Sequence, residues 1–359
     1  MKQIKFPSVI GVFFLIGLMI FSSACPQSST PANQAVNKEP EKITENKVTF
    51  LAVGDMMISR GVARAIDRAG TPLAPFEKMK DVFLSTDFNF GNLECPISGR
   101  ENVVGKGLVF NMRTKDLEGL KKYNFKVINF ANNHAMDMGV NGLKNTHKVL
   151  DENGFTRLGT GENLDEAWTP KIYEVKGVKI GFVGVSYVSI NDGSGAARND
   201  YVARMEDKDR VKKAIEQLKT QGADFIVATM HAGVEYQRRP HQPQIDFAKN
   251  AIDYGADMVI GAHPHWVQIF EQYKGKYIFY SLGNFIFDQT WSRDTMEGLA
   301  LKITLDSKKS NVQANSKTNV QQIELIPVVI ENASTPRVAN ESEAASIMKK
   351  IGATEKILK

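Results

Sequence analysis

Five short polar clusters punctuate this chain in one order, most of them where an apolar, β-branched run stops. They are Gly54-Asp55, Gly91-Asn92-Leu93-Glu94, Ala131-Asn132-Asn133-His134, Met230-His231-Ala232-Gly233 and Gly261-Ala262-His263-Pro264-His265. Runs of that kind fold as buried strands, so such a chain must present its clusters together at the strand ends of a sheet. Two carboxylates, an amide and four imidazoles gathered there have the ligand chemistry of a two-metal hydrolytic site. Singly, each cluster has a plainer reading. A Gly-Asp pair is mostly a turn, a glutamate at a strand end is mostly solvated, an asparagine caps a helix as readily as it binds a cation, and a lone histidine is mostly structural.

The rhythm around the clusters is α/β. Strands are expected over 48–53, 88–93, 127–131, 225–229 and 258–260. Between them, helices are expected over 75–85, 116–123, 142–153, 208–219 and 243–254, with a hairpin of 171–175 and 179–185 about Lys176-Gly177-Val178. Phe76, Met79, Val82 and Phe83 share one face of the first helix, and Gly154 is placed to end the third. Beyond Pro264 the pattern turns to strands, over 267–273, 277–281, 298–305 and 321–329, and a last helix covers 342–351. Polar loops fall at 191–199 and 307–318. Crossover helices followed by a run of strands predict a sheet sandwich with helices outside. Residues 321–351 alone are too few to build a core, so a single domain over 48–359 is expected.

The first thirty residues read as an address. Lys2 and Lys5 form a positive start, Val9 to Phe21 is an apolar run of 13 residues, and Ser22-Ser23-Ala24 leads to Cys25. A membrane span needs roughly 20 residues, so this run is short for one. Small residues ending at a cysteine resemble the lipobox of a bacterial lipoprotein, cleaved after residue 24 and lipidated on Cys25. Ser22 stands where leucine is usual, with Phe21 one place earlier. An uncleaved anchor and simple secretion are the alternatives. Residues 25–47, rich in Ser, Pro, Asn, Gln, Glu and Lys, have the composition of a flexible tether.

Removing Lys2 and Lys5 lowers the formal net charge from +5 to +3, too mild an excess to imply nucleic acid. Cys95 is the only other cysteine, so lipidation of Cys25 leaves no intramolecular disulfide. Cys95 follows Glu94, where a thiolate ligand is conceivable and a buried, inert thiol is the plainer reading. Four of the six histidines lie in the clusters; His147 and His241 read as structural or surface residues. Arg60, Arg64, Arg238 and Arg239 flank the clusters and either receive an anion or are solvated surface charge.

The order Asp, acid, Asn-His, His, Gly-x-His-x-His resembles the calcineurin-like metallophosphoesterase superfamily. More closely, Gly91-Asn92-Leu93-Glu94, Ala131-Asn132-Asn133-His134, His231-Ala232-Gly233-Val234-Glu235, Gly261-Ala262-His263-Pro264-His265 and Ser281-Leu282-Gly283-Asn284-Phe285 resemble the CapA family. Those are poly-γ-glutamate capsule biosynthesis proteins, also called PgsA. The likeness is clear over a motif core of 48–288 and looser over the C-terminal strands and helix of 289–359. It implies a four-layer αββα sandwich of the metallo-dependent phosphatase type, with metals at the strand ends.

Carried over by residue, the resemblance gives one ion to Asp55 and His265, makes Glu94 the bridge, and gives the second ion to Asn133, His231 and His263. His134 becomes the proton donor to the leaving group. Apart from the resemblance, Asn92, Glu235 and Arg238, by their places in or beside the clusters, are candidates for substrate contact or for orienting the ligands. Two departures stand out. Asp55-Met56-Met57 occupies the place of Asp-x-His, and Gly91-Asn92-Leu93-Glu94 that of Gly-Asp-x-x-Asp. With one ligand absent, the first of two divalent ions is expected to bind weakly, and manganese, iron and zinc suit the donors alike.

Three functions stay open on the sequence. One is an envelope-anchored part of capsule or poly-γ-glutamate synthesis or export, working on the capsule polymer or another anionic envelope substrate, within a synthase or export membrane complex. The second is a metal-dependent phosphoester hydrolase of the envelope. The third is a non-catalytic, polymer-binding scaffold. The expected location in each case is the extracytoplasmic face of the cell membrane, held by lipidated Cys25.

Overall fold

A computed structural model describes residues 46–102, 108–187, 200–307 and 318–359. The expected leader, Cys25, all but the last two residues of the tether, and the loops at 191–199 and 307–318 apart from Ser307 and Thr318 lie outside the described residues.

The first half of the chain lays down four parallel strands with helices between them. They are β1 (Asn46–Met56), α1 (Arg60–Ala69), α2 (Lys80–Leu84), β2 (Phe88–Leu93), α3 (Glu118–Lys122), β3 (Phe125–Asn129), α4 (Gly139–Glu152) and β4 (Thr156–Leu158). A short α5 (Leu164–Ala167) leads to β5 (Lys171–Val175) and β6 (Val178–Ser186), then α6 (Lys208–Thr220), β7 (Phe225–His231), α7 (Gln242–Tyr254), β8 (Met258–Ala262), β9 (Phe270–Tyr273) and β10 (Lys276–Phe279). The chain then returns to the first sheet with β11 (Asn284–Ile286), β12 (Glu297–Ser307), β13 (Asn319–Glu331), β14 (Thr335–Val338), α8 (Glu341–Ile351) and β15 (Ile357–Leu358). One sheet has the order β14-β13-β12-β1-β2-β3-β4, with β11 beside the end of β1 and β15 beside β13. The other has the order β5-β6-β7-β8-β10-β9.

Side-chain alternation stacks these sheets into four layers. Val48, Phe50 and Ala52 of β1, Phe88 and Phe90 of β2, and Leu299, Leu301, Ile303 and Leu305 of β12 face inward. There they meet Ile180, Phe182, Phe225, Val227 and Ile260 of the second sheet. The opposite faces carry the helices. Leu51, Val53, Phe125 and Ile128 pack under Val62, Ile66, Leu120, Val149 and Leu150, and Val183, Ile226, Ala228 and Val259 pack under Val211, Ile215, Leu218, Phe247 and Ile252. The αββα sandwich expected from the resemblance is the fold observed. Helix α8 is set by a capping box, Asn340 with Glu343, and its Met348 and Ile351 join the core between the sheets.

Several local expectations shift. Residues 75–85 are a 3₁₀ turn (Glu77–Met79) followed by α2, although Phe76, Met79 and Phe83 are buried as one face. Helix α1 was not anticipated; Val62, Ala63 and Ile66 are a thin apolar stripe among four charges. The segment 267–273 is a strand only over β9, with Val267 making an isolated bridge to Leu282, and the short strands β4, β11, β14 and β15 lack an alternating run long enough to read.

One irregularity decides where the first acid points. By strict alternation Asp55 would join Leu51 and Val53 beneath the helices. The register of β1 slips at Gly54, however, with Val53 opposite Gly91 and Asp55 opposite Asn92. This bulge turns Asp55 into the space between the sheets and returns Met56 to the outer core. Glycine is required there, because a Cβ on Gly54 would stand 1.9 Å from the Gly283 carbonyl oxygen. Gly54→Ala should therefore lower unfolding free energy in urea by about 3 kcal/mol or more, and a loss under about 1 kcal/mol would show that β11 can simply move away.

His147, read from sequence as structural or surface, is buried on α4 with Nε2 3.0 Å from Thr160 Oγ1. Burial first, then the charge of Arg157, holds its pKa down at about 4. The unfolded chain thus takes up this proton near pH 6.5 and the fold only near pH 4. Stability present above 6.5 is lost as pH falls between those values, by about 3 kcal/mol. His147→Gln should flatten that acid limb in urea titrations at pH 7 and pH 4; an unchanged slope would assign the limb to other groups.

Candidate metal centre

The same alternation that makes the inner core apolar makes its upper rim polar. Along β7, Phe225 and Val227 face inward, so His231, two steps beyond Thr229, does too. Along β2 the inward set runs Phe88, Phe90, Asn92 and, one residue past the strand, Glu94. Asp55 arrives through its bulge, and Asn133 and His134 lie on the turn after β3. His263 and His265 leave β8 on left-handed backbone, with φ of 102° and 58°. Two non-glycine residues in that region hold a strained turn that aims both rings at the centre.

All the ligand candidates come together and all are buried. Donor atoms of Asp55, Glu94 and His265 lie within 4.8 Å of one another, as do those of Glu94, His231 and His263, so Glu94 is common to two triads. Asn133 Oδ1 joins the second triad, 2.7 Å from His231 Nε2, which is itself 3.1 Å from His263 Nδ1.

A ring of amides orients these groups. Asn129 Nδ2 donates to Asn92 Oδ1 at 2.9 Å, which turns the Asn92 amino group to donate to Asp55 Oδ1 at 2.8 Å and to face His231 Nδ1 at 3.1 Å. Asn132 reaches the same oxygen at 3.4 Å and the Leu93 carbonyl at 2.8 Å. The other acid oxygen, Asp55 Oδ2, accepts from the His263 backbone N–H at 3.1 Å. Asn284 Nδ2 is held by Gln289 Oε1 and the Thr295 carbonyl, so its Oδ1 is presented to His265 Nδ1 at 2.9 Å. Such outer partners fix tautomer and orientation of ligating rings.

Burial is felt in the charges. It pushes Asp55 up to about 7 against the lowering pull of the His263 N–H and Asn92, and it raises Glu94 well above the usual carboxylate range, helped by the charges of Asp55, Glu235 and Asp137. His231 is held well below its ordinary value by burial and by its neighbouring histidines. His263 is lowered to about 4 by burial and the charge of His134, and His265 to about 3 by burial and the charge of His263. At neutral pH these three rings are neutral and offer lone pairs. Among the described residues neither Glu94 oxygen accepts from a fixed donor; His134 Nε2 and His231 Nε2 stand 3.8 Å away. Orphaned carboxylate oxygens, a buried acid pair and neutral imidazoles are a donor set that fits divalent cations.

His134 is held differently. Its Nδ1 meets Asp137 Oδ2 at 2.8 Å, its ring stacks on Phe110 with centroids 3.9 Å apart, and the Phe110 N–H donates to the same Asp137 oxygen at 2.6 Å. The Arg60 guanidinium lies 4.5 Å above the far partner of that stack, Phe110, and pairs with Asp288. Asp137, Phe110 and Asp288 escaped the sequence reading. For Asp137 the signal was there, an acid three residues after a histidine on one turn.

Other candidates sit apart from the donor set. Met57 is in the outer core. Arg238 donates to the Val267 carbonyl and pairs with Asp294, both at 2.6 Å, while Arg64 and Arg239 are exposed. Cys95 is buried in the outer core, its thiol pushed up by burial while it accepts from the Ile58 N–H at 3.4 Å, so the inert reading fits. Glu235 is half-buried, and both acids feel its charge.

With this geometry in view, the family model for bacterial capsule synthesis proteins, PGA_cap, matches residues 49–289. The chain is 32% identical over 315 residues to the PGA biosynthesis protein CapA of Bacillus subtilis strain 168, covering 87% of this chain and 79% of that protein. It is 34% identical over 262 residues to the capsule biosynthesis protein CapA of Bacillus anthracis, covering 71% of this chain and 63% of that one. Among solved structures, a Staphylococcus aureus protein provisionally assigned as a 5′-nucleotidase superposes with a TM-score of 0.50 at 16% identity, over 85% of this chain and 58% of the other, a likeness of fold.

Glu94 gives a test of the buried acid pair. In chelator, the fold keeps this carboxyl neutral to higher pH than the unfolded chain does, so its contribution to stability is lost as pH rises from about 4.5 through the raised pKa. Glu94→Gln escapes that loss. Its thermal midpoint should match the parent near pH 4 and exceed it by roughly 4 °C at pH 8; equal midpoints at both values would show that Glu94 is not strained.

Proposed function

The chain belongs to the bacterial capsule synthesis protein family PGA_cap, and from that membership we propose that it serves capsule or poly-γ-glutamate synthesis or export as an envelope-anchored protein with a metal-dependent hydrolytic centre. The observation that carries the reading is Glu94, a buried carboxylate common to two donor triads and, among the described residues, without a fixed hydrogen-bond donor of its own. The relatives named above are capsule and PGA biosynthesis proteins, which points to the capsule polymer or another anionic envelope substrate, and to a synthase or export complex as the partner. Cys25 would be lipidated, placing the domain outside the membrane.

Asp55, Glu94 and His265 would hold one divalent ion, and Glu94, His231, His263 and Asn133 a second. Ions held there supply Lewis acidity and positive charge for the anionic oxygens of a phosphoester or similar group. The chain's own part is the following. Asp137 takes the Nδ1 proton of His134 as a hydrogen bond and Phe110 fixes the ring plane, so Nε2 is the atom free to give a proton to a departing oxygen. Arg60, stacked over the Phe110 that packs on His134 and paired with Asp288, is the cation placed beside the centre to meet an anionic substrate group. Asn92 and Asn284 keep Asp55, His231 and His265 in register while ligands exchange. With Met57 in the core, Asp55, Glu94 and His265 would offer one site fewer protein donors than Glu94, His231, His263 and Asn133 would offer the other.

Elemental mass spectrometry on the full chain should find about two equivalents of divalent metal, and less than one in Glu94→Ala. One equivalent in the parent would mean that the first site stays empty. None would leave a polymer-binding scaffold as the reading. On a chromogenic phosphodiester, His134→Gln should lower kcat by about 10²- to 10⁴-fold with metal content unchanged; full activity would remove the proton-donor role.

A further inference from the structure

Among the described residues seven large apolar side chains are exposed, and their placement is not even. Leu84, Val338 and Ile357 lie at the end of α2, on β14 and on β15. The other four sit on the loops that build the centre. Leu108 and Val109, 69% and 49% exposed, precede the Phe110 that stacks on His134. Val234, 46% exposed, precedes Glu235 and Tyr236, and the Tyr236 ring lies over His265 with centroids 5.8 Å apart. Trp291, 59% exposed, stands edge-on to Tyr236 at 4.7 Å, and Arg239 is exposed on the same Val234-to-Arg239 loop.

We propose that this rim is a lipid-facing surface: Leu108, Val109, Val234 and Trp291 lie in the interfacial layer of a bilayer with Arg239 at the headgroups, so that the centre opens onto the membrane surface. Tryptophan and arginine beside aliphatic side chains are the composition of an interfacial contact. The inference rests on the anchored reading, which supplies the reach. Twenty residues lie between Cys25 and Asn46, a span of at most about 70 Å, against about 36 Å for the length of β1, whose far end carries the centre. A tethered domain meets its own membrane at high effective concentration, so a small rim suffices where it would not for a free protein. The substrates this arrangement admits are groups carried at headgroup level.

The test uses the full chain in vesicles of phosphatidylcholine and phosphatidylglycerol with brominated acyl chains, with Trp168→Phe and Trp266→Phe leaving Trp291 as the emitter. Emission should fall about twofold relative to unbrominated vesicles, with matching protection from aqueous iodide. If the chain floats with the vesicles but Trp291 is unquenched and open to iodide, the rim faces water, as a protein-binding face would, and the inference fails while anchoring stands. If the chain does not float, anchoring fails and the inference with it. Should the double substitution not fold, hydroxyl-radical labelling of the unsubstituted chain gives the same decision. The four rim residues should be protected several-fold on vesicles, with Leu84, Val338 and Ile357 as unprotected internal standards; equal labelling overturns the proposal.

Discussion

The close passage of Gly54 under the Gly283 carbonyl governs the rest of the centre. Every other inward-facing donor on a strand follows from parity: His231 continues the inward side of β7, and Asn92 and Glu94 that of β2. Asp55 alone would fall on the wrong side, and the slip of register at Gly54 corrects it. The same contact seats β11 beside β1, with the Asp55 N–H donating to Gly283 at 3.0 Å, and so delivers Asn284 to His265. One missing Cβ therefore sets a candidate ligand, the strand next to it and the amide that steadies a second candidate.

Chemistry at the top of the sandwich is bought with burial that the lower core tolerates. Asp55 and Glu94 are driven toward neutrality, three imidazoles are kept from charging, and two of those imidazoles sit on left-handed backbone. Taken alone these are unfavourable arrangements, and they persist because both sheets are already locked below by an apolar layer rich in Phe, Val, Ile and Leu. The asparagines explain how so many ionisable groups stay in order. Asn92, Asn129, Asn132 and Asn284 supply fixed dipoles without adding charge, so the acids can be paired by ions and not by arginine.

Much of this was readable in the sequence. The α/β rhythm, both sheets' central strands and the whole donor set come from apolar runs ending in polar clusters, a signal strong enough to survive without any knowledge of pairing. What was hidden depends on partners distant in the chain. Helix α1 has too few apolar residues to show a period, and β11 has three residues whose partner lies more than two hundred positions away. The bulge at Gly54 looks, in sequence, like any Gly-Asp turn, whereas Asp137, three residues after His134, was within reach of a local reading. Arg238 illustrates the converse. Its nearness to His231 in sequence suggested a substrate contact, while in space it ties the Val267 carbonyl to Asp294, which Lys350 of α8 also grips.

The place of β12 in the sheet has a consequence for how the molecule is made. It pairs with β1 over the full run from Asn46 opposite Ser307 to Ala52 opposite Leu301, roughly 250 residues later in the chain. A polypeptide that emerges from its amino end must therefore carry β1 with one edge open while everything through β11 appears, and the central sheet closes only when the last sixty or so residues arrive. The second sheet needs no strand beyond β10 and is complete before β12 emerges, so the two layers of the sandwich differ in how much of the chain each must wait for.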